Sequence, residues 1–264
     1  MSTPIESQIE SPAVASYDFP AGTRLLAIDT SAAISVAVVS ADGSYESRNL
    51  AEFRLHAEQL SVLIAQALAA AGIEPDSLTG IAVGTGPGPF TGLRVGLAAA
   101  RTLAFALNIP LYGVSSLDAI AVQTVKTLGP ASFTHNENTL PNPEILVATD
   151  ARRREIYWAK YRAINGTADI AIIQGPNVGK ASKGAEELGI ASDFGITDKN
   201  IVPPIIAGQG AVLYPDLLPL TPGAPILPEA GELGRIALSR AKHGIAQPTD
   251  PLYLRRPDIH GQQS

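Results

Sequence analysis

One stretch restricts the fold more than any other. Ile81-Ala82-Val83 is an apolar run of buried-strand length, and it leads straight into Gly84-Thr85-Gly86-Pro87-Gly88-Pro89-Phe90-Thr91-Gly92. A helix is predicted immediately after, from about Leu93 to Leu107. A strand, a glycine loop and a helix in succession form a unit of a layered α/β architecture. The loop carries two readings. A helix N-terminus behind a glycine loop is a setting for anion binding. This loop, however, lacks the Gly-Lys-Ser/Thr ending of a phosphate loop and the Gly-x-Gly-x-x-Gly spacing of a dinucleotide fold. The other reading is a turn stiffened by two prolines that lets strand and helix pack closely. Leu93, Leu97, Ala100, Ala104 and Leu107 mark one helix face. Gly96, Ala98, Ala99 and Ala100 keep the helix thin, so that another helix can approach.

The surroundings fit an α/β chain. Leu25-Leu26-Ala27-Ile28 is a strand ending at Asp29-Thr30-Ser31, followed by a strand at Ile34 to Val39, a hairpin signal at Asp42-Gly43 and a strand from Ser44 to Leu50. A helix is predicted from about His56 to Ala71, with Gly72 as its C-cap, and a further strand from Pro110 to Val114. After a polar loop at 128–143, Ile145 to Ala151 and Glu155 to Arg162 repeat the opening pattern of strand, aspartate, tight turn and strand. The two copies lie roughly 120 residues apart, which is a sign of duplicated α/β halves. Chance recurrence of strand-Asp-turn is the plainer alternative.

Composition narrows the chemistry. There is no cysteine, so disulfides, thiolate catalysis and sulfur-ligated metals are excluded. The first 23 residues are rich in Ser, Pro and Glu and read as a disordered tail without the basic and apolar regions of a secretion signal. No window of about 18 apolar residues is free of charges or Gly/Pro breaks, so no membrane span is expected, and a soluble cytoplasmic protein is. The net charge of −6 argues against a chain that holds nucleic acid unaided. Basic residues are scattered except at Arg152-Arg153-Arg154 and Arg255-Arg256.

Few residues offer catalytic chemistry. Asp29, Thr30 and Ser31, at a strand's carboxyl end, could face a magnesium-bound phosphate, although an ordinary Asp/Ser turn explains them better. Gly208-Gln209-Gly210 could accept an adenosine, with a plain strand-to-helix turn as the simpler reading. His56 and Glu58 stand two apart on a helix and point in different directions. The four histidines form no His-x-x-x-His pair, and no Gly-x-Ser-x-Gly elbow is present. The Arg152–Arg154 run reads as a solvated turn more readily than as a phosphate clamp.

Taken together, these segments resemble the TsaB (YeaZ) family. The matching residues are Leu26 to Ser31, His56-Ala57-Glu58, Gly86-Pro87-Gly88-Pro89-Phe90-Thr91-Gly92-Leu93-Arg94-Val95-Gly96, Leu103-Ala104 with Pro110, Val114-Ser115-Ser116-Leu117, Asp150 to Arg153 with Glu155-Ile156-Tyr157, and Pro251 to Arg255. The glycine loop with its Phe-Thr-Gly-Leu-Arg tail is the specific element. Pro89 departs from the family, which often has Ser there, and the loop at 128–143 is longer than usual.

The resemblance implies an actin-like ATPase (ASKHA) α/β superfold of two duplicated halves. The N-terminal lobe would comprise residues 24–113 plus about 228–245, the second lobe 114–227, and residues 246–264 a C-terminal extension. It also implies a non-catalytic scaffold for tRNA threonylcarbamoyladenosine synthesis. The principal partner would be TsaD, with TsaE as a further one; a homodimer would form when TsaD is absent, and tRNA would be met only through the complex. No cofactor would be firmly bound, with ATP or ADP conceivable in the assembled complex. In the related TsaD family a His-His-x-x-x-His type segment holds a metal; here Ser116 and Ile120 stand at those positions, and neither replaces an imidazole. The expected partner interface comprises Leu60, Leu63, Ile64, Leu68, Leu93, Gly96, Leu97, Ala100 and Leu103. An ATP-dependent, kinase-like enzyme of the same superfold is the alternative, and a metallopeptidase a weaker one.

Overall fold

The computed structural model describes residues 19–50, 57–133, 143–164, 170–187 and 203–255. The predicted tail up to residue 18, His56, the loop beyond Phe133 as far as residue 142, and the C-terminal extension past Arg255 lie outside them.

Five strands form the first sheet: β1 (Arg24–Asp29), β2 (Ile34–Ser40), β3 (Tyr45–Leu50), β4 (Gly80–Gly84) and β5 (Leu111–Val114), in the order β3-β2-β1-β4-β5. The first three form an antiparallel meander, and β4 and β5 add in parallel to β1. The β2–β3 turn uses Asp42-Gly43 as expected. The Asp42 carboxylate accepts from Ser44, and Gly43 takes a φ of 76° that a β-carbon disfavours. The second sheet repeats the design. Strands β6 (Glu144–Asp150), β7 (Glu155–Ala163), β8 (Ile170–Lys180) and β9 (Ile205–Ala207) stand in the order β8-β7-β6-β9, with an antiparallel meander and β9 parallel to β6. The correspondence of β1, β2, β3 and β4 with β6, β7, β8 and β9 makes the duplication structural: the chain is an actin-like α/β fold of two duplicated halves.

Alternation along the strands sends side chains to both faces of each sheet. In the first sheet Leu26, Ile28, Val36, Val38, Ile81 and Val83 face helices α1 (Ala57–Ala71) and α2 (Phe90–Leu107). Leu25, Ala27, Ala37, Val39 and Ala82 face the opposite way, toward α6 (Ala230–Lys242). Gly234 lets α6 lie close, because a β-carbon there would meet Val39 and Ala27. Helix α3 (Ser116–Leu128) covers the inner face of the second sheet with Leu117, Ile120 and Val125, while α4 (Ala181–Glu187) and α5 (Gln209–Leu213) cover the outer face. The layers therefore run α1/α2, first sheet, α6 against α3, second sheet, α4/α5.

Charged side chains join the halves between α3 and α6. Tyr161 on β7 donates to Asp118 at 2.8 Å, and Arg240 on α6 donates to the other oxygen of Asp118 at 2.6 Å. Two turns along, Glu232 on α6 takes Lys126 of α3 at 2.6 Å and Arg235 at 2.7 Å, with the Tyr45 hydroxyl at 3.3 Å.

Two boundaries differ from expectation, and the C-terminal extension takes a defined path. Helix α2 begins at Phe90, not Leu93, because Pro89 supplies the N-cap with a φ of −58° and its carbonyl accepts from Leu93 N–H. Residues 19–23 belong to the folded body: Phe19 is buried and its N–H donates to Ala41. Residues 247–255 return along the first half, with Gly113 N–H donating to Gln247 and Leu252 N–H to Thr85.

Helix α2 has 18 residues and a mean hydropathy of 1.3, long and apolar enough to cross a membrane by length and composition. Its buried residues Leu93, Leu97, Ala100 and Ala104 pack on the first sheet.

Candidate functional site

Three segments meet at the carboxyl ends of β1, β4 and β5: the turn Asp29-Thr30-Ser31, the glycine loop, and the start of α3. All three turn residues are buried. One Asp29 oxygen accepts from Ser31 N–H at 2.8 Å and from the Ser31 hydroxyl at 2.7 Å. The other accepts from the Ser116 hydroxyl at 2.5 Å. Thr30 donates to the Gly92 carbonyl at 2.8 Å and accepts from Gly96 N–H at 3.2 Å. The glycine loop closes over these groups. Gly84 through Gly88 are buried, and the Gly86 carbonyl accepts from Ser116 N–H at 2.8 Å.

The glycines are there for close approach. A β-carbon on Gly84 would run into the Asp29 carboxylate, and one on Gly88 would lie 2.6 Å from the Ser31 carbonyl oxygen. On Gly96 it would meet the Thr30 hydroxyl. The thin side of α2 at Gly96 thus accommodates the β1–β2 turn and not a second helix. Of the two readings of the loop, close packing is the one the geometry realises. Asp29, Thr30 and Ser31 spend their polar atoms on one another, on Gly92, on Gly96 and on Ser116. Asp29 is fully buried, so a phosphate would reach it only after the surrounding loops opened.

Desolvation raises the Asp29 carboxyl above its ordinary value of 3.8, while hydrogen bonds from Ser116 and Ser31 pull the other way. A folded-state pKa above the unfolded one means stability that is fully present below the unfolded value and is lost as pH rises through the folded value. Asp29→Asn removes the ionisation and keeps an acceptor for Ser31. Its stability relative to wild type, read from urea midpoints, is expected to improve from pH 4 to pH 8. Asp29→Ala strands three donors and is expected to lose about 2 kcal/mol throughout. A constant deficit for Asp29→Asn across that range would contradict the assignment.

The second half places Gly208 and Gly210 in an equally filled position. Gly208 has a φ of 95°, donates to the Pro225 carbonyl at 2.8 Å, and would press a β-carbon onto the Ala148 carbonyl. Gly210 packs on Ala148 as well. These contacts build the strand-to-helix turn. At the end of β6, Asp150 holds the next turn by accepting from Arg152 N–H at 2.7 Å.

The expected partner interface is corrected at six of its nine residues. Leu60, Leu68, Leu93, Gly96, Leu97 and Ala100 are buried within the chain, on the sheet-facing sides of α1 and α2. Leu63, Ile64 and Leu103 are half-buried against the same core. Periodicity finds the apolar stripe of a helix, and that stripe covers the chain's own sheet. The outward positions are Glu58, Ser61, Val62, Ala65, Gln66, Ala69 and Ala70 on α1, and Phe90, Thr91, Arg94, Ala98, Arg101, Thr102, Phe105 and Ala106 on α2.

Ser116 and Ile120 are buried, Ser116 on Asp29 and Ile120 in the core of the second half. Among the described residues no group of three or more His, Asp or Glu side chains is placed to hold a metal ion. The sequence reading missed the Asp29–Ser116 pair, which joins residues 87 positions apart, and a stack of Phe90, Arg94 and Tyr253. In that stack the Arg94 guanidinium lies 3.8 Å above the Phe90 ring, and the Phe90 and Tyr253 centroids are 4.9 Å apart.

Comparison with known proteins gives one consistent relationship. The family model for TsaD, tRNA N6-adenosine threonylcarbamoyltransferase, matches residues 51–185, which is 135 of the 264. The protein ML0378 of Mycobacterium leprae is 41% identical over 160 residues, 59% of this chain and 38% of its own length. The tRNA threonylcarbamoyladenosine biosynthesis protein TsaB of Escherichia coli is 34% identical over 140 residues, 53% of this chain and 55% of its own. These matches span about half the length of the curated relatives, or less. In structure, YeaZ from Pseudomonas aeruginosa superposes with a TM-score of 0.66 at 27% identity, covering 88% of this chain and all of that one. Together with the duplicated two-sheet topology and the glycine loop sealed over Asp29, these relationships show that the chain belongs to the TsaB/YeaZ family, within the wider family that the TsaD model describes.

Proposed function

We propose that this chain is a non-catalytic scaffold in cytoplasmic synthesis of threonylcarbamoyladenosine on tRNA, and that it works by pairing with a TsaD-type subunit. The observation that carries this reading is the outward face of α1 and α2. A surface helix ordinarily turns charged residues to water. On α1 no charged residue follows Glu58, and the exposed positions hold Ser, Val, Ala and Gln. On α2, Phe105 is 90% exposed, with Ala98, Thr102 and Ala106 also exposed, and the one charged residue in that stretch, Arg101, donates to the Thr249 carbonyl of the C-terminal segment at 2.8 Å. Both helices cover the same side of the first sheet, and an apolar surface there calls for a cover. Small residues on that surface suit helix-to-helix packing, against TsaD or, in its absence, against a second copy. TsaE would join the assembled pair.

The non-catalytic part of the reading rests on chemistry. Asp29 is sealed, Ser116 is engaged with it, and Ile120 has no donor atom. ATP or ADP would then belong to the assembled complex and not to this chain alone. The kinase-like alternative needs Asp29 to open toward solvent. Mg-dependent ATP binding by the isolated chain, measured by calorimetry, would favour it.

The test is the mass of the chain by light scattering, alone and mixed with a TsaD subunit from the same organism. Val62→Asp and Phe105→Asp together place two carboxylates on the proposed contact. Both positions are exposed, at 54% and 90%, so the fold is expected to tolerate them. Assembly is expected to weaken on the order of a hundredfold, the effect of burying unpaired charge. An unchanged heteromer would remove this face from the interface.

A further inference from the structure

We infer that this chain itself contacts the phosphodiester backbone of RNA, through a basic and aromatic strip that begins at the Arg152-Arg153-Arg154 turn. The inference deepens the reading above, because it rests on tRNA being the molecule on which the assembly acts. It goes beyond that reading in giving this chain a direct contact.

The turn between β6 and β7 has an unusual backbone. Arg152, Arg153 and Arg154 have φ values of 62°, 54° and 63°. Three successive left-handed residues are disfavoured by the β-carbon, and glycine or asparagine is the usual choice at such positions. The turn is nevertheless well held. Asp150 accepts from Arg152 N–H at 2.7 Å, the Arg152 carbonyl accepts from Glu155 N–H at 2.9 Å, and Ala151 N–H donates to Glu155 at 3.0 Å. Strain kept in place by local bonds marks a segment with a use besides folding. The visible result is three arginines, all exposed, on one tight turn.

Direct contacts extend this surface. Arg255 pairs with Glu155 and reaches the Ala151 carbonyl at 3.4 Å, so the C-terminal segment lies against the base of the turn. Lys180, also exposed, stands opposite Glu155 on β8. Two residues before Arg255, Tyr253 opens the aromatic part of the strip. It accepts from Arg94 at 3.3 Å and stacks beside Phe90, and both rings are partly exposed, Phe90 at 36% and Tyr253 at 40%. The acidic groups in this stretch are Asp150, which pairs with Arg152 at 3.2 Å, Glu155, which pairs with Arg255, and Asp250, which pairs with Arg101 at 3.8 Å; Arg153, Arg154 and Lys180 tip the balance to the cations.

A chain with a net charge of −6 has no general affinity for polyanions, so a local cationic strip is selective. Guanidinium forks bind phosphate oxygens, and rings partly open to solvent accept unpaired bases by stacking. Cations and aromatics together fit a folded RNA with single-stranded loops better than an acidic protein surface.

The experiment is fluorescence anisotropy with labelled tRNA transcript and the full chain, at 50 and 200 mM salt. Binding is expected at the lower salt and should weaken steeply at the higher. Arg152→Gln/Arg153→Gln/Arg154→Gln is expected to lower affinity at least about tenfold and to reduce the salt slope by about 2, the loss of two to three phosphate contacts. Tyr253→Ala is expected to weaken binding to tRNA while leaving binding to a perfect RNA duplex unchanged. Absence of binding at 50 mM salt overturns the proposal. So does a triple variant that keeps wild-type affinity and slope while its circular dichroism is native. Loss of TsaD assembly by the triple variant with RNA binding intact would assign the turn to a protein and also overturn it. Val62→Asp/Phe105→Asp separates the two readings. If the wild-type chain does not assemble with TsaD but its RNA binding still depends on the arginines, the scaffold reading falls and this one stands.

Discussion

Replacing Tyr161 with alanine is expected to lower the unfolding free energy by about 4 kcal/mol, the usual loss for a buried aromatic truncated in place. Tyr161 is among the largest fully buried side chains and packs with Leu117, Ile120 and Val125 of α3. Its hydroxyl donates to Asp118, which is also held by Arg240 of α6. Burial and the neighbouring Asp118 carboxylate hold the phenol well above its ordinary value, so it remains a donor across the stable range of pH. Tyr161→Phe isolates the hydrogen bond, since it leaves the ring and removes one donor. It is expected to cost about 1 kcal/mol, because Arg240 still pairs with Asp118. Thermal and urea unfolding measure both. Equal effects for the two variants would mean that the hydroxyl carries the energy and the packing none, contrary to the geometry.

Glu232→Ala is the second large effect, at about 3 kcal/mol. Glu232 sits on α6 with Lys126 of α3 at 2.6 Å and Arg235 at 2.7 Å, its side chain only 5% exposed. Removal takes from the Lys126 ammonium, the Arg235 guanidinium and the Tyr45 hydroxyl the acceptor they share. The cations keep 21% and 19% of their side-chain exposure, so water recovers part of the loss and the low end of the range for broken buried pairs applies. Arg235 also retains its bond to the Gly43 carbonyl. Glu232→Gln keeps an acceptor and is expected to lose about half as much. If Glu232→Ala unfolds within about 0.5 kcal/mol of wild type, like an ordinary surface change, the cluster does not fasten α3 to α6.

These two clusters bear on function through rigidity. Each bridges the helix on the first sheet to the helix on the second, and together they fix α6 against α3. The scaffold role proposed above would gain from such fastening. The clusters are also what the sequence hides best. Asp118 and Arg240 are 122 residues apart, and Lys126 and Glu232 are 106 apart. In a linear reading each looks like a charged residue on the wet side of a helix, because helical periodicity reports which face is apolar and says nothing of what a polar face meets.

Strand β8 shows a different limit. Ile170–Lys180 contains Gly175, Pro176 and Gly179, which in sequence signal a turn. It is nonetheless a strand, and an edge one, in the order β8-β7-β6-β9. A proline is tolerated there because one side of an edge strand needs no ladder bond. Edge position is a property of the sheet and cannot be read from the segment.

The sequence by itself determined the elements whose signal is local: the strands around Ile28, Val83 and Val147, the turn at Asp42-Gly43, the helices behind the glycine loop and before Gly72, and the echo between the two halves. Apolar alternation, glycine at positive φ and helical spacing act over a few residues, so a few residues suffice to show them. The tertiary structure alone decided what the polar residues do. It closed the glycine loop over Asp29, gave Ser116 to that carboxylate, turned Leu60, Leu93 and Leu97 inward and left Val62 and Phe105 outside. Each of these depends on which groups from distant segments lose their water together, and that is set by how the sheets and helices stack.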